Sequence, residues 1–305
     1  MIVKQIWTAN PYRNFNYLIA CSQTGEALAI DPLDSAQCLR VAKELGWDIT
    51  QILNTHEHHD HIGGNEAVVQ ATGAKVLAHA KAAHAIPGMF RGLVAGDVIK
   101  VGKTVELEAL DTPGHTMCHI CLRSHTDQPA LFTGDTLFNA GAGNCHNGGN
   151  VQSLFHTFTR QLNRLPDDTL IYPGHDYIEN NLRFTLDREP DNQVAATLLE
   201  QVSGQDPSRA YVSTLRTERQ VNTFFRLDSQ TVKAQLQHLC FGALKFGVPA
   251  AQGFGVVGAE GVAVVQRQAG GGEANRADHL ALVDGLEFSN GTIEVDLAGQ
   301  FGSRC

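Results

Sequence analysis

The run Thr55-His56-Glu57-His58-His59-Asp60-His61 constrains this chain more than any other stretch. It follows directly on Ile49 to Leu53, a short apolar segment that reads as a buried strand. The pattern H-x-H-x-D-H therefore sits at a strand end, where a rigid scaffold holds side chains while leaving them accessible. The same grammar recurs downstream. Val105 to Leu110, Ala130 to Phe132 and Thr169 to Tyr172 read as strands. Just past them come His115 in Thr112-Pro113-Gly114-His115, Asp135 in Thr133-Gly134-Asp135 and His175 in Tyr172-Pro173-Gly174-His175. Four strands can present one site at a common edge.

The residue types at those positions suit metal. Imidazole and carboxylate together accept zinc, iron or manganese. His56, His58, Asp60, His61, His115, Asp135 and His175 make seven candidate ligands, enough for two divalent ions that share one. Asp135 has two oxygens and can bridge two ions, which imidazole normally cannot. In an extended segment His56 and His58 face one way and Glu57 and His59 the other, and a turn after His58 would bring Asp60 and His61 to a neighbouring position. A water between two such ions would ionise near neutral pH, because zinc alone lowers its pKa to about 7. The ions would also polarise a carbonyl under attack. A two-ion site implies hydrolysis or oxygen chemistry, with Asp60 and Asp135 as its catalytic carboxylates.

Plainer readings compete. The cluster can be a solvated surface patch, and Asp135 a simple turn residue. Histidines and acids crowded on one loop are costly to bury without a partner, and the Pro-Gly-His contexts at two further strand ends favour ligation. Cys118-His119-Ile120-Cys121 contains a C-x-x-C, but on an apparent strand positions i and i+3 face opposite sides, and no second such pair accompanies it. It is read as structural. His119 could support a metal ligand, but a strand histidine with a local hydrogen bond is the favoured reading. His79, His84, His125, His156, His238 and His279 have no supporting motif.

Bulk properties narrow the setting. The 305 residues carry a formal net charge of -9 and no basic block, which argues against an electrostatic nucleic-acid binder. Seven scattered cysteines show no framework spacing, so a reducing compartment is expected. The start, Met1-Ile2-Val3-Lys4-Gln5-Ile6-Trp7, has no apolar stretch behind a basic head, and no run reaches the length of a membrane span. The expectation is a cytoplasmic protein with a small-molecule substrate, no nucleic acid and no membrane partner. Nothing in the sequence sets an oligomeric state.

Asn16 to Cys21 and Glu26 to Asp31 read as strands around Thr24-Gly25. A helix follows, capped by Asp34 or Ser35, with Leu39, Ala42 and Leu45 on one face and Gly46 as its stop. Another runs from about Glu66 to Thr72. From Tyr177 the pattern turns helical, near Tyr177–Arg188, Gln193–Val202, Thr217–Asn222 and Ser229–Leu239. Strands followed by helices suggest an α/β body with an added helical domain. Beyond Gly247 the composition is rich in Gly and Ala and reads as a linker through Gly270-Gly271-Gly272, ahead of a hairpin around Asn290-Gly291. A lone hairpin cannot bury its own core. The end at Cys305 would fit a truncated or fused reading frame.

On these residues the chain resembles the metallo-β-lactamase superfamily and, within it, the glyoxalase II (hydroxyacylglutathione hydrolase) group. H-x-H-x-D-H carries the superfamily resemblance. Thr112 to Ile120 resembles the phrase T-P-G-H-T-x-G-H-I, with Cys118 where glycine is usual, and Gly134-Asp135-Thr136-Leu137-Phe138 matches G-D-T-L-F. Pro173 to Tyr177, Asn181-Leu182-Arg183-Phe184 and Glu189-Pro190-Asp191-Asn192 resemble the family's entry into its C-terminal helices. The resemblance implies an α/β fold, a four-layer αβ/βα sandwich, with a C-terminal helical domain. The expected division is a catalytic domain over 1–176, a helical substrate domain over 177–246 and a Gly-rich tail over 247–305. His56, His58 and His115 would hold one ion and Asp60, His61 and His175 the other, with Asp135 between them. Zinc is the first expectation, and iron or manganese are alternatives.

The same resemblance implies hydrolysis of a thioester, S-lactoylglutathione to lactate and glutathione, through a metal-bound hydroxide. Tyr177 would touch the glutathione moiety, or else simply pack at a helix start. Arg183 is a further candidate for substrate binding. Asn144 and His146 stand where well-known glyoxalase II proteins carry a lysine and a tyrosine that contact glutathione, and Gln235 to Phe246 has only Lys245 as a base. The alternatives are a mononuclear iron persulfide dioxygenase and a metallo-hydrolase of another thioester or a lactone.

Overall fold

The computed structural model describes residues 1–125, 128–235, 254–259, 262–267 and 280–284. The chain divides into two compact units. The first takes Met1–Asn139, Cys145–Tyr177 and Gly204–Arg216, and the second takes Ala140–Asn144, Ile178–Ser203 and the chain from Thr217 onward.

Two six-stranded sheets build the first unit. One runs in chain order through β1 (Ile2–Trp7), β2 (Phe15–Ala20), β3 (Glu26–Ile30), β4 (Asp48–Leu53), β5 (Lys75–His79) and β6 (Met89–Leu93). The second is formed by β7 (Val98–Val101), β8 (Val105–Asp111), β9 (Ile120–Ser124) and β10 (Ala130–Gly134), joined by later strands. Two-residue strands β11 (Leu137–Phe138) and β12 (Gly141–Ala142) follow β10 in the chain, and β13 (Leu170–Pro173) and β14 (Ser213–Thr214) complete the second sheet in the order β14-β13-β10-β9-β8-β7. The meander β1-β2-β3 is antiparallel, and β3 to β6 are parallel. In the second sheet β10 and β13 are parallel.

Alternation along the strands explains the layering. Tyr17 and Ile19 of β2 pack with Leu107, Ile120, Leu122 and Phe132 of the other sheet, while Leu18 points to the opposite face, among Cys38, Val41 and Val68 of the helices. Phe132 and Tyr172, on adjacent parallel strands, stack with ring centres 4.9 Å apart. With helices outside both sheets this is the expected αβ/βα sandwich.

Helix α1 (Ser35–Leu45) is capped by Asp34, whose side chain accepts from Gln37 N at 2.9 Å, and Gly46 closes it in the left-handed conformation. Its buried face differs from the expected one. Cys38, Val41 and Ala42 face the sheet, Leu39 is half-buried at the flank, and Leu45 is 47% exposed. At 100° per residue, positions 38, 41 and 42 fall in one arc, and Leu45 lies in the last turn where the chain leaves. The turn after His58 is real: His59–Ile62 forms the short helix α2, and α3 (Asn65–Thr72) follows. Helix α4 (Val151–His156) and the turns after it bury Leu154, Phe158 and Leu162.

The second unit is helical. It contains α5 (Ile178–Arg188) and α6 (Gln193–Val202), while α7 (Leu215–Val221) carries the chain into it from the first unit. Phe184 stacks on Phe224, and Thr185 Oγ1 donates to Val221 O at 2.7 Å. Ala140, Gly141, Ala142 and Gly143 are buried, with Ala140 N donating to Glu218 Oε2 at 2.8 Å and Asn222 Nδ2 to Gly141 O at 3.0 Å. This Gly-rich run is packed structure.

The stretch expected to be a linker contains strands β15 (Phe254–Ala259) and β16 (Val262–Arg267), antiparallel to each other, and β17 (Leu280–Asp284) pairs with β16. The run of β-branched residues Val262, Val264 and Val265 was the available signal. The hairpin around Asn290-Gly291 and the segment around Lys245 lie outside the described residues. Among the described residues no helix is long and apolar enough to cross a membrane.

Candidate metal centre

All seven candidate ligands selected from the sequence come together in the first unit. They form three overlapping groups whose ligand atoms lie within 4.8 Å of one another: His56, His58 and His115; His56, His61 and Asp135; Asp60, His61 and His175. In the first, His58 Nδ1 lies 2.9 Å from His56 Nε2 and 3.0 Å from His115 Nε2. In the third, His61 Nε2 and His175 Nε2 are 3.2 Å apart, and Asp60 Oδ2 is 3.5 Å from each. Asp135 stands between them, its Oδ2 3.6 Å from His115 Nε2 and 3.1 Å from His175 Nε2.

The backbone makes this convergence feasible. His56 and its neighbours leave β4, His115 follows β8, Asp135 follows β10 and His175 follows β13. Two glycines permit the approach. Gly134 has φ 46, and a Cβ there would lie 2.5 Å from Thr55 Oγ1. At Gly174 a Cβ would lie 2.3 Å from Asp135 Oδ1. Asp31, at φ 47 just past β3, turns its carboxylate inward, where Oδ2 meets His61 Nδ1 at 2.9 Å and Thr55 Oγ1 at 2.7 Å.

Electrostatics also point to a cation. Burial lowers the His56 imidazole well below its ordinary pKa, and neighbouring His61 adds to the effect. Burial opposes charge on His61 too, but Asp135 and Asp31 outweigh it and hold that ring well above its ordinary value. Burial likewise opposes ionisation of Asp135, and His175 and His61 overcome it, leaving the carboxyl well below its usual range. Three imidazole nitrogens pointing at one another cannot all be satisfied by shared protons, since each neutral ring offers one lone pair and one N–H. Among the described residues Asp135 Oδ1 is buried with no hydrogen-bond partner, and His61 Nε2 stays 3.4 Å away. A donor set of imidazoles and carboxylates with an unpartnered buried oxygen fits divalent metal.

The remaining candidates fall in other settings. Tyr177 donates its hydroxyl to Tyr12 O at 2.8 Å, and its ring stacks on His175 at 5.1 Å. His146 is exposed, and Asn144 is half-buried in the short segment belonging to the second unit. Arg183, on α5, is ion-paired with Glu179 at 2.6 Å. Glu57 accepts from Thr116 Oγ1 at 3.0 Å.

Sequence reading set aside one contributor, His119, and missed two, Asp31 and Asn14. His119 is fully buried beside Asp135, Asp31 anchors His61, and Asn14 reaches Asp60. Only His119 lay in a singled-out motif. The strand there starts at Ile120, so Cys118 precedes it, and burial raises both Cys118 and Cys121, the latter to about 12. Both thiols therefore remain protonated.

The family model for the metallo-beta-lactamase superfamily matches residues 10–175, and that for the hydroxyacylglutathione hydrolase C-terminus matches residues 176–246. The chain belongs to the metallo-β-lactamase superfamily, in its hydroxyacylglutathione hydrolase group. It is 70% identical over 237 residues to the hydroxyacylglutathione hydrolase of Polaromonas sp. (strain JS666), covering 78% of this chain and 90% of the relative. The hydroxyacylglutathione hydrolase of Nitrosococcus oceani is 64% identical over the same shares. Among solved structures, ETHE1 from Myxococcus xanthus superposes with a TM-score of 0.59 at 28% identity, covering 78% of this chain and 91% of that one. Membership in this superfamily and the convergent His and Asp groups make the chain a divalent-metal protein.

Proposed function

We propose that this chain hydrolyses the thioester of an acylglutathione, with S-lactoylglutathione as the first substrate to test. The observation that carries the reading is the pairing of two ligand groups: Asp60, His61 and His175 beside His56, His58 and His115, with Asp135 3.1 and 3.6 Å from a member of each. A complete second group favours two ions over the single iron of a dioxygenase. The relatives named hydroxyacylglutathione hydrolase, at 70% and 64% identity, support the choice of substrate.

His56, His58 and His115 would hold one ion, and Asp60, His61 and His175 the other, with Asp135 shared. Zinc is the first assignment, with iron and manganese as alternatives the same ligands accept. When bound, such ions acidify water and draw electron density from a carbonyl oxygen. The chain's own groups do the rest. Asp31 fixes the His61 ring, and the Tyr12 carbonyl, 2.6 Å from His175 Nδ1, fixes the His175 tautomer so that Nε2 faces the centre. Asp60 is the more exposed of the two carboxylates, with 26% of its side chain accessible, and we assign it the role of proton acceptor. In balance, water adds across the C–S bond, the acyl carbon leaves as a carboxylic acid and sulfur leaves as glutathione thiol.

Tyr177, Asn144, His146 and Arg183 are the proposed contacts to the glutathionyl part. The division we assign is a catalytic domain over 1–176, a substrate domain over 177–246 and a tail over 247–305, in a cytoplasmic protein. The deciding experiment is thiol release from S-lactoylglutathione by metal-quantified protein, with Asp135→Ala as control. Release at about two metals per chain, lost in the variant, supports the reading. No release at that loading sinks the substrate assignment and moves the search to other thioesters and lactones.

A further inference from the structure

In this centre each of four imidazoles turns one nitrogen toward the other ligands and has its second nitrogen fixed by a neighbour. His56 Nδ1 lies 3.1 Å from Thr55 Oγ1 and His58 Nε2 3.1 Å from Asn147 O. His61 Nδ1 lies 2.9 Å from Asp31 Oδ2 and His175 Nδ1 2.6 Å from Tyr12 O. Asp60 is the most exposed of the carboxylate ligands, and a carboxylate on a four-residue helix has a free rotor unless something holds it. Asn14 holds it. Asn14 Nδ2 donates to Asp60 Oδ2 at 3.1 Å and approaches Asp60 O at 3.2 Å.

Asn14 is itself set in place. Its residue is 1% exposed, its Oδ1 accepts from Asn10 Nδ2 at 2.8 Å, and its backbone N donates to Asn10 Oδ1 at 3.2 Å. The reciprocal pair turns the amide oxygen toward Asn10 and the NH2 toward Asp60 and toward His175, whose Nε2 lies 3.4 Å from Asn14 Nδ2. Arg13, at φ 59, precedes it in the left-handed region, and the backbone closes on the His175 segment through Phe15 N to Gly174 O at 2.8 Å and Asp176 N to Arg13 O at 2.9 Å. One loop, Thr8 to Asn14, thus anchors Asp60 by a side chain and His175 by the Tyr12 carbonyl. The anchors of His56 and His58 come from other segments.

We propose that Asn14 is a positioning residue for the ion held by Asp60, His61 and His175, and that its loop sets the affinity of that ion independently of the other. The amide occupies one lone-pair direction of Oδ2 and stops the carboxylate from turning to solvent, so the ligand is ordered before the ion arrives. The proposal rests on the two-ion reading of the centre and not on the choice of substrate.

The test titrates metal-free chain with zinc against a chromophoric chelator, for wild type, Asn14→Leu, Asn14→Ala and Asn10→Ala. Asn14→Leu keeps roughly the volume and removes the donor. Asn10→Ala changes a half-exposed residue and only releases the Asn14 amide. The expected result is two phases in wild type, with one phase loosened about 10- to 100-fold in Asn14→Leu and the other unchanged. Asn10→Ala should loosen the same phase by less, and cobalt loading should show an altered spectrum for one equivalent alone. Equal loosening of both phases, as a merely structural role would give, overturns the proposal. So do two unchanged phases in Asn14→Leu, or in Asn10→Ala should the Asn14 variants fail to fold. One ion in wild type overturns it as well. Two ions without cleavage of S-lactoylglutathione would sink the substrate reading and leave this one standing.

Discussion

The backbone N–H of Asp135 donates to Nε2 of His119 at 3.2 Å, so a buried, uncharged histidine holds the residue that stands between the two ligand groups. Burial, reinforced by His115, keeps His119 well below the ordinary imidazole pKa. Its Nδ1 lies 2.9 Å from Thr112 Oγ1 and 3.1 Å from Thr136 Oγ1, and its ring stacks on His56. His119→Ala should strand the Asp135 N–H in a dry site, at about 1–3 kcal/mol. We expect a lower urea midpoint and metal content below wild type at equal free metal. Wild-type metal content and stability in the variant would remove His119 from the supporting framework.

Asp31 serves His61 and Thr55 together, its Oδ1 accepting from Thr55 N at 2.8 Å and its Oδ2 touching both side chains. Asp31→Ala removes the partner of a buried, positively biased imidazole, and such losses cost about 3–5 kcal/mol. Asp31→Asn keeps the shape and halves the acceptor set, so it should fold better while still loosening metal. Calorimetric melting of the metal-free and loaded forms separates the two effects. A loaded-minus-free melting shift equal to wild type in both variants would contradict this role.

Gly174→Ala tests the close approach at the centre. The added Cβ would sit 2.3 Å from Asp135 Oδ1 and 3.1 Å from Gly134 C, so the Asp135 carboxylate must move. Because the strand β13 ends just before this residue, the sheet should survive. We expect a folded protein whose thiol release falls by at least about 100-fold, the cost of roughly 1 Å of misplacement at a reacting centre. Near-native turnover would mean that Asp135 tolerates displacement and is not the shared ligand.

How much of this was legible beforehand depended on how local each signal was. The side chains that cluster could be picked out because each follows an apolar strand and belongs to a residue class with few other reasons to gather. The strands leading into those positions were read to within two residues of their ends for the same reason. Asp31 and Asn14 were not legible: an Asp after a strand and an Asn in a loop are common, and their partners His61 and Asp60 lie 30 and 46 positions away. The α1 face was misread through Leu45, whose last-turn position tertiary context exposes. The packing of the Gly-rich run after Phe138 was not legible either, because Glu218 and Asn222, which pin it, lie 78 and 81 positions away.

The helical unit carries its own pH-sensitive tie. Glu189 is buried at the end of the α5 segment and accepts from Arg226 Nη2 at 2.8 Å and from Ser229 Oγ at 2.7 Å. Burial opposes its ionisation, but the hydrogen bonds of Arg226 and Ser229 prevail and lower its pKa. A carboxyl lowered by folding adds stability that is fully present above the ordinary glutamate pKa, about 4.3, and is lost as pH falls through the folded value. Arg226→Ala should therefore cost about 2 kcal/mol at pH 7, in the range for hydrogen bonds to charged groups. The gap between wild type and variant should close in acid, because a protonated Glu189 no longer depends on the guanidinium. Urea unfolding of both proteins from pH 7 to pH 3 measures that gap. A difference that stays constant across the range would assign the loss to Arg226 packing and not to its charge.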